Sequence, residues 1–218
     1  MTGVGTFDGT TVKPKWEWNH NSDNGKWSVN NGLTLRTATV ANDLYWARNI
    51  LTDRIQGPTS TATIQLDYAT MRDGDRAGLA LLRDLSAWSA SNETAAPHGC
   101  DGQRLDHGQQ LEHHRLRHRH RHRHRSRERQ RHGRSHLAAR GRRHPPRRLP
   151  SGNLLHSTDG TNFTRLGPAF TMGDTWQFFM GCRFTLTNYA TRTLGCSVRI
   201  ARFALTTPRA QQRPSPRI

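Results

Sequence analysis

Two stretches of the chain, Trp16 to Trp88 and Leu154 to Leu205, hold nearly all its aromatic residues, and within them apolar and polar positions alternate in short runs. Leu33–Arg36 follows a turn signal at Asn30–Gly32. Thr61–Tyr68 alternates small or apolar side chains with polar ones, the period of a half-buried strand. Ala77–Leu82, entered through a turn at Asp73–Asp75, has the pattern of a strand buried on both faces, and Gly78 disfavours a helix there. Past Gly152 the pattern returns. Leu154–Ser157 and Phe163–Leu166 flank Thr158–Thr161, whose Asp-Gly pair suits a tight hairpin turn. Gln177–Met180, Arg183–Leu186 and Ser197–Phe203 continue the series. Many short strands at close spacing, with no strongly amphipathic helix, predict an all-β sandwich.

The pattern breaks over 89–150. Of 33 Lys and Arg residues, 15 lie between His113 and Arg148, with nine of the 13 His and one of the 16 acidic residues, leaving a net charge near +3 elsewhere. The whole-chain charge of +17 and pI near 11.5 therefore describe one segment rather than a basic domain. A hydrophobic share of 33% and a mean hydropathy of −0.86 allow a core only because the apolar residues are concentrated. The expected organisation is a lead-in over 1–12 and a first part of the sandwich over 13–88. A low-complexity, disordered Arg/His segment follows over 89–150, then the second part of the sandwich over 151–207 and a disordered tail over 208–218. Cys100, Cys182 and Cys196 form neither a disulfide framework nor a metal-binding spacing, though Cys182 and Cys196 could pair across neighbouring strands.

Specific residues then carry a resemblance. Trp16–Asn21 with Asp23-Asn24 and Trp27-Ser28, Tyr45-Trp46, Ala47–Asn49 with Leu51-Thr52 and Arg54-Ile55, and Asp73–Leu79 form one ordered set. Ser157–Phe163, Phe178–Gly181, Arg183-Phe184 and Asn188–Thr191 form a second. Together they resemble the C-terminal concanavalin A-like (jelly-roll) β-sandwich of glycoside hydrolase family 43, the β-xylosidases and α-L-arabinofuranosidases. The resemblance covers about two-thirds of the chain in two blocks, lost after Trp88 and recovered near Gly152. A shift of reading frame and its reversal would produce that loss and recovery. Codons can be chosen for Asp101–His114 so that reading one base later gives strand-and-turn sequence, and Arg-His repeats become Ala-Thr repeats.

In that family the sandwich follows a β-propeller that bears the catalytic carboxylates. The resemblance thus implies a non-catalytic accessory module, no catalysis by this chain alone, a propeller domain and plant cell-wall polysaccharide as partners, and an extracellular site for the intact parent. The opening residues lack the charged and apolar regions of a signal peptide, so Met1 is expected not to be the natural start. No run is apolar enough to span a membrane, and no membrane partner is expected. Trp16, Trp18, His20, Trp46 and Trp176 are the candidates for carbohydrate or interdomain contact, Trp16 and Trp18 through one face of a strand. Against each Trp stands the reading that it fills the core, and against His20 that it is a structural loop histidine. Asp73 and Asp75, around Gly74, fit a turn better than a hydrolytic carboxylate pair; no cofactor is expected beyond possible calcium there. Two alternatives remain: a stand-alone carbohydrate-binding module, or adventitious polyanion and nucleic-acid binding through Arg115, Arg117, Arg119, Arg121, Arg123 and Arg125.

Overall fold

A computed structural model describes residues 3–5, 7–83, 85–92, 99–106, 134–142, 151–172 and 181–208. Its strands are β1 (Gly3–Gly5), β2 (Glu17–Trp18), β3 (Trp27–Val29), β4 (Leu33–Arg36), β5 (Leu51–Arg54), β6 (Thr59–Asp67) and β7 (Asp75–Leu82). They continue as β8 (Leu85–Asn92), β9 (Gly99–Asp106), β10 (Arg134–Arg142), β11 (Ser151–Ser157), β12 (Thr164–Thr171), β13 (Arg183–Ala190) and β14 (Ser197–Thr206). One antiparallel sheet runs β12-β11-β10-β6-β14-β4-β3, with β1 also on β14; the other runs β2-β5-β13-β7-β8-β9. Among the described residues the only helical element is a 3₁₀ turn over Asn24–Lys26.

The alternation read from sequence decides which faces meet. β6 buries Ser60, Ala62, Ile64 and Leu66 and leaves the intervening residues half-exposed. Between the sheets, Ile64, Leu66, Val198, Ile200 and Phe203 of the larger sheet meet Leu79, Leu81, Phe184 and Leu186 of the smaller. β7 is buried on both faces as its composition predicts: Leu79 and Leu81 enter this core, while Ala80 and Leu82 join a second cluster with Leu44, Ala47, Ile50 and Tyr189. The β3–β4 hairpin turns through Asn31 at φ 47, a left-handed conformation that Asn tolerates. The β11–β12 hairpin turns at Thr158–Thr161, where Asp159 Oδ1 accepts from the backbone N–H of Thr161 and Asn162, both at 2.8 Å.

The bounds expected for the interrupting disordered segment, 89–150, take in described residues that lie in the sheets. β9 pairs with β8, and β10 lies inside the larger sheet between β6 and β11. Leu137 of β10 pairs with Ile64, and Ala139 with Ala62; both are fully buried. The physical reason is a period of two hidden in a charge run. Arg134 and Arg140 point to solvent while Leu137 and Ala139 point inward, so the arginines add charge without denying the strand a face to bury. The Arg115–Arg125 tract, the strand expected at Gln177–Met180 and the tail from 209 lie outside the described residues.

At the free edge of the larger sheet the register of β11 with β12 shifts between Gly152 and Leu154. Opposite the shift stand Gly167, at φ 66, and Pro168, a pair suited to a bulged edge strand.

Candidate functional site

The 41–50 loop crosses the outer face of the smaller sheet and is fixed from beneath. Leu44, Ala47 and Ile50 are fully buried against Ala80, Leu82 and Tyr189. Burial pushes the Tyr189 hydroxyl up to about 12, so it stays neutral beneath the loop. Asn49, buried at φ 57, clamps a second loop: its Oδ1 accepts from Asp23 N at 2.8 Å and its Nδ2 donates to Asp23 O at 3.1 Å. Asp23 in turn caps the 3₁₀ turn, accepting from Gly25 N at 3.1 Å. Arg48 Nε donates to Asn21 O at 3.2 Å.

Between these loops an aromatic group converges. Tyr45 O accepts from Asn19 Nδ2 at 3.1 Å and meets His20 Nε2 at 2.5 Å; since a carbonyl can only accept, Nε2 carries the proton. The His20 ring is nearly parallel to Trp46, 5° between planes and 6.1 Å between centroids, and edge-on to Tyr45 at 5.3 Å. Tyr45 is edge-on to Trp46 at 5.6 Å. The Trp46 side presents an exposed ring, 66% accessible, on a loop whose other side is buried. Backing by His20 fixes the orientation of that ring.

The other sequence candidates have different surroundings. Trp16 is 8% exposed and lies in the core, stacked on Phe7 at 5.2 Å and edge-on to Phe203 at 4.8 Å, so it supplies no contact patch. It precedes β2 rather than sharing a strand face with Trp18. Lys15 closes over Trp16 at 4.8 Å while pairing with the buried Asp53 at 2.9 Å. Trp18 is half-buried against Trp27, 5.2 Å between rings. Trp176 lies outside the described residues. Of the tryptophans named from sequence, Trp46 alone among those described presents an open face. Asn49, which sets the loop, was legible only as part of a resemblance; its signal is an asparagine at a position that needs positive φ.

Among the described residues, the contacts of His20 are with Tyr45 and Trp46. Asp73 is paired with Arg192, and the buried Asp75 accepts from Arg72 N at 2.7 Å, so both shape the turn at Gly74. Among the described residues, no three His, Cys, Asp or Glu side chains gather as a metal site would require. Cys182 is half-buried and Cys196 buried, and no disulfide joins them. Burial and the nearby Asp75 carboxylate raise the Cys196 thiol to about 12, which makes it inert. Beside β2, Glu17 accepts from the buried Arg183 at 2.5 Å and from Arg54 at 3.1 Å; the Arg183 hydrogen bond first, then the two positive charges, hold its carboxyl below the ordinary range.

Comparison with known proteins places this framework. No curated protein sequence matches the chain. A GH43 glycoside hydrolase, whose active site was engineered to give an enzyme with both endo-xylanase and exo-arabinofuranosidase activity, is 31% identical, with a TM-score of 0.73, over 95% of this chain and 41% of that one. A bifunctional GH43-CE protein of Bacteroides eggerthii is 24% identical, with a TM-score of 0.69, over 89% of this chain and 24% of its own length. A xylan beta-1,4-xylosidase from Bacillus halodurans C-125 shares the fold at 11% identity and a TM-score of 0.61, over 94% and 39% of the two chains. The chain thus spans well under half the length of these relatives. The model of the beta xylosidase C-terminal concanavalin A-like domain of GH43 matches residues 5–205, and the chain belongs to that family.

Proposed function

We propose that this sandwich is the accessory domain of a xylan-acting GH43 enzyme, that it seats a β-propeller catalytic domain, and that Trp46, backed by His20 and Tyr45, is an anchor of that seat. The observation that carries the reading is the exposed indole of Trp46 on a loop fixed by buried Leu44, Ala47 and Ile50. Rigid aromatic anchors of this kind dominate the energy of protein interfaces. The endo-xylanase and exo-arabinofuranosidase activity engineered into the 31%-identical relative supplies the substrate class. Xylan is extracellular material, so the reading carries an extracellular site of action for the parent enzyme.

The test is association of the purified chain with a propeller from the 31%-identical enzyme, produced without its own sandwich. Measured by titration calorimetry, Trp46→Ala should weaken binding at least about tenfold, as loss of a central aromatic anchor does. Undiminished binding by that variant, or no association of the parent chain, overturns the reading. The same exposed ring could instead stack on a pyranose. Retention of the chain on insoluble xylan, weakened by Trp46→Ala and unaffected by added propeller, would establish that alternative.

A further inference from the structure

On the opposite side of the sandwich, the outward face of the larger sheet forms a groove with a different chemistry. Thr61 of β6 is in register with Arg140 of β10, and Arg140 with Asn153 of β11. One step along, Thr63 is opposite Ala138, Ala138 opposite Leu155, and Leu155 opposite Arg165 of β12. Partners in register project to one side of a sheet, and the intervening Ala62, Ala139 and Leu154 are buried in the core, so these rows face outward. With Phe163 at the entry to β12 they enclose about 410 Å³, a volume in the range of ligand sites.

Three features of the groove call for one kind of ligand. No carboxylate lines it, and neither Arg140 nor Arg165 has an ion-pair partner among the described residues; Arg140 Nε donates only to Thr61 Oγ1 at 3.3 Å. Arg140 on β10 and Arg165 on β12 flank the intervening β11, and two guanidinium groups so placed match a planar anion such as a carboxylate. Asn153 Oδ1 is buried without a hydrogen-bond partner, an acceptor in want of a hydroxyl donor. Phe163 adds an apolar flank and Thr61 and Thr63 add hydroxyls. A sugar ring bearing both hydroxyls and a carboxylate presents the complement of all three. We infer that this groove binds a uronic-acid unit of an acidic plant polysaccharide, with Arg140 and Arg165 on the carboxylate, Asn153 and the threonines on ring hydroxyls, and Phe163 against the sugar. In choosing a saccharide over another anion the inference rests on the proposed xylan-acting role. Since the groove and Trp46 lie on opposite faces, a glycan and a propeller occupy separate surfaces.

The test uses the full chain and aldotetraouronic acid, a xylo-oligosaccharide carrying one uronate, with neutral xylotriose and oligo-glutamate as controls. The acidic sugar should bind measurably and xylotriose at least about tenfold more weakly. Arg140→Ala with Arg165→Ala should lower affinity for the acidic sugar at least about tenfold. Arg140→Lys with Arg165→Lys keeps the charge and loses the fork geometry, and should fall between. Phe163→Ala should weaken both sugars and leave oligo-glutamate unchanged, which decides the matter even if the double alanine variant fails to fold. Equal affinity for both sugars, or undiminished binding by the folded variants, overturns the inference. Parallel losses for oligo-glutamate or a DNA duplex show a bare charge patch and overturn it too. None of these measurements needs a propeller, so failure here and failure of the docking reading are separable.

Discussion

Leu137→Ala removes three carbons from a side chain with no exposed surface, in a strand held by neighbours on both sides. Transfer of those carbons to water costs about 2.4 kcal/mol at ~0.8 kcal/mol per methylene. The space left against Ile64 of the adjoining strand adds a cavity cost, giving about 3 kcal/mol within the ~2–5 kcal/mol usual for Leu→Ala in cores. For a domain of this size that is a fall of about 6–12 °C in melting temperature. Arg140→Ala, on the same strand but facing outward, should stay within about 0.5 kcal/mol. Urea unfolding followed by tryptophan fluorescence reads both, with the slope expected unchanged for each. Were residues 134–142 a solvated basic segment, the two substitutions would be equally silent. A loss below about 1 kcal/mol for Leu137→Ala therefore refutes the placement of β10 and the groove built on it.

Further outcomes follow from other parts of the molecule. Arg183 lowers the Glu17 pKa in the folded state, so the associated stability is present above the ordinary carboxylate pKa and lost as pH falls through the folded value; urea midpoints should decline below about pH 4.5 less steeply in Glu17→Gln than in the parent. Glu17→Gln should also destabilise at neutral pH, because Arg183, 6% exposed, loses its carboxylate. Deleting 113–131 should abolish salt-dependent binding to duplex DNA while preserving cooperative unfolding, whereas a deletion extended to 148 removes β10 and should eliminate the transition; circular dichroism melts and salt titrations distinguish the two.

The sequence was most informative where one period governed a whole run. Thr61–Tyr68 and Ala77–Leu82 announced β6 and β7 because burial on one face or two leaves a direct imprint on composition. Residues 134–142 obey the same rule, yet their outward positions are mostly Arg and His, and a reading by charge density conceals the inward Leu137 and Ala139. The aromatic residues were legible as a set but not one by one. Trp16 and Trp46 are the same residue type in similar polar surroundings along the chain, and only the three-dimensional path places one under Phe203 and leaves the other in solvent. The outer groove was invisible because register between four strands, three of them drawn from beyond residue 133, brings Arg140, Asn153 and Arg165 together.

The bulge at Gly167 and Pro168 determines what happens when many copies meet. A β-ladder propagates by adding a strand to a straight row of vacant amide and carbonyl groups. On β12 that row is interrupted: Pro168 has no amide hydrogen, the register shift bends the strand, and Arg165 brings like charges together if two such edges approach. Intermolecular sheet growth is blocked at this border by local stereochemistry, and among the described residues no helix covers it. A crowded solution of the folded chain therefore has no template here from which a fibre could extend.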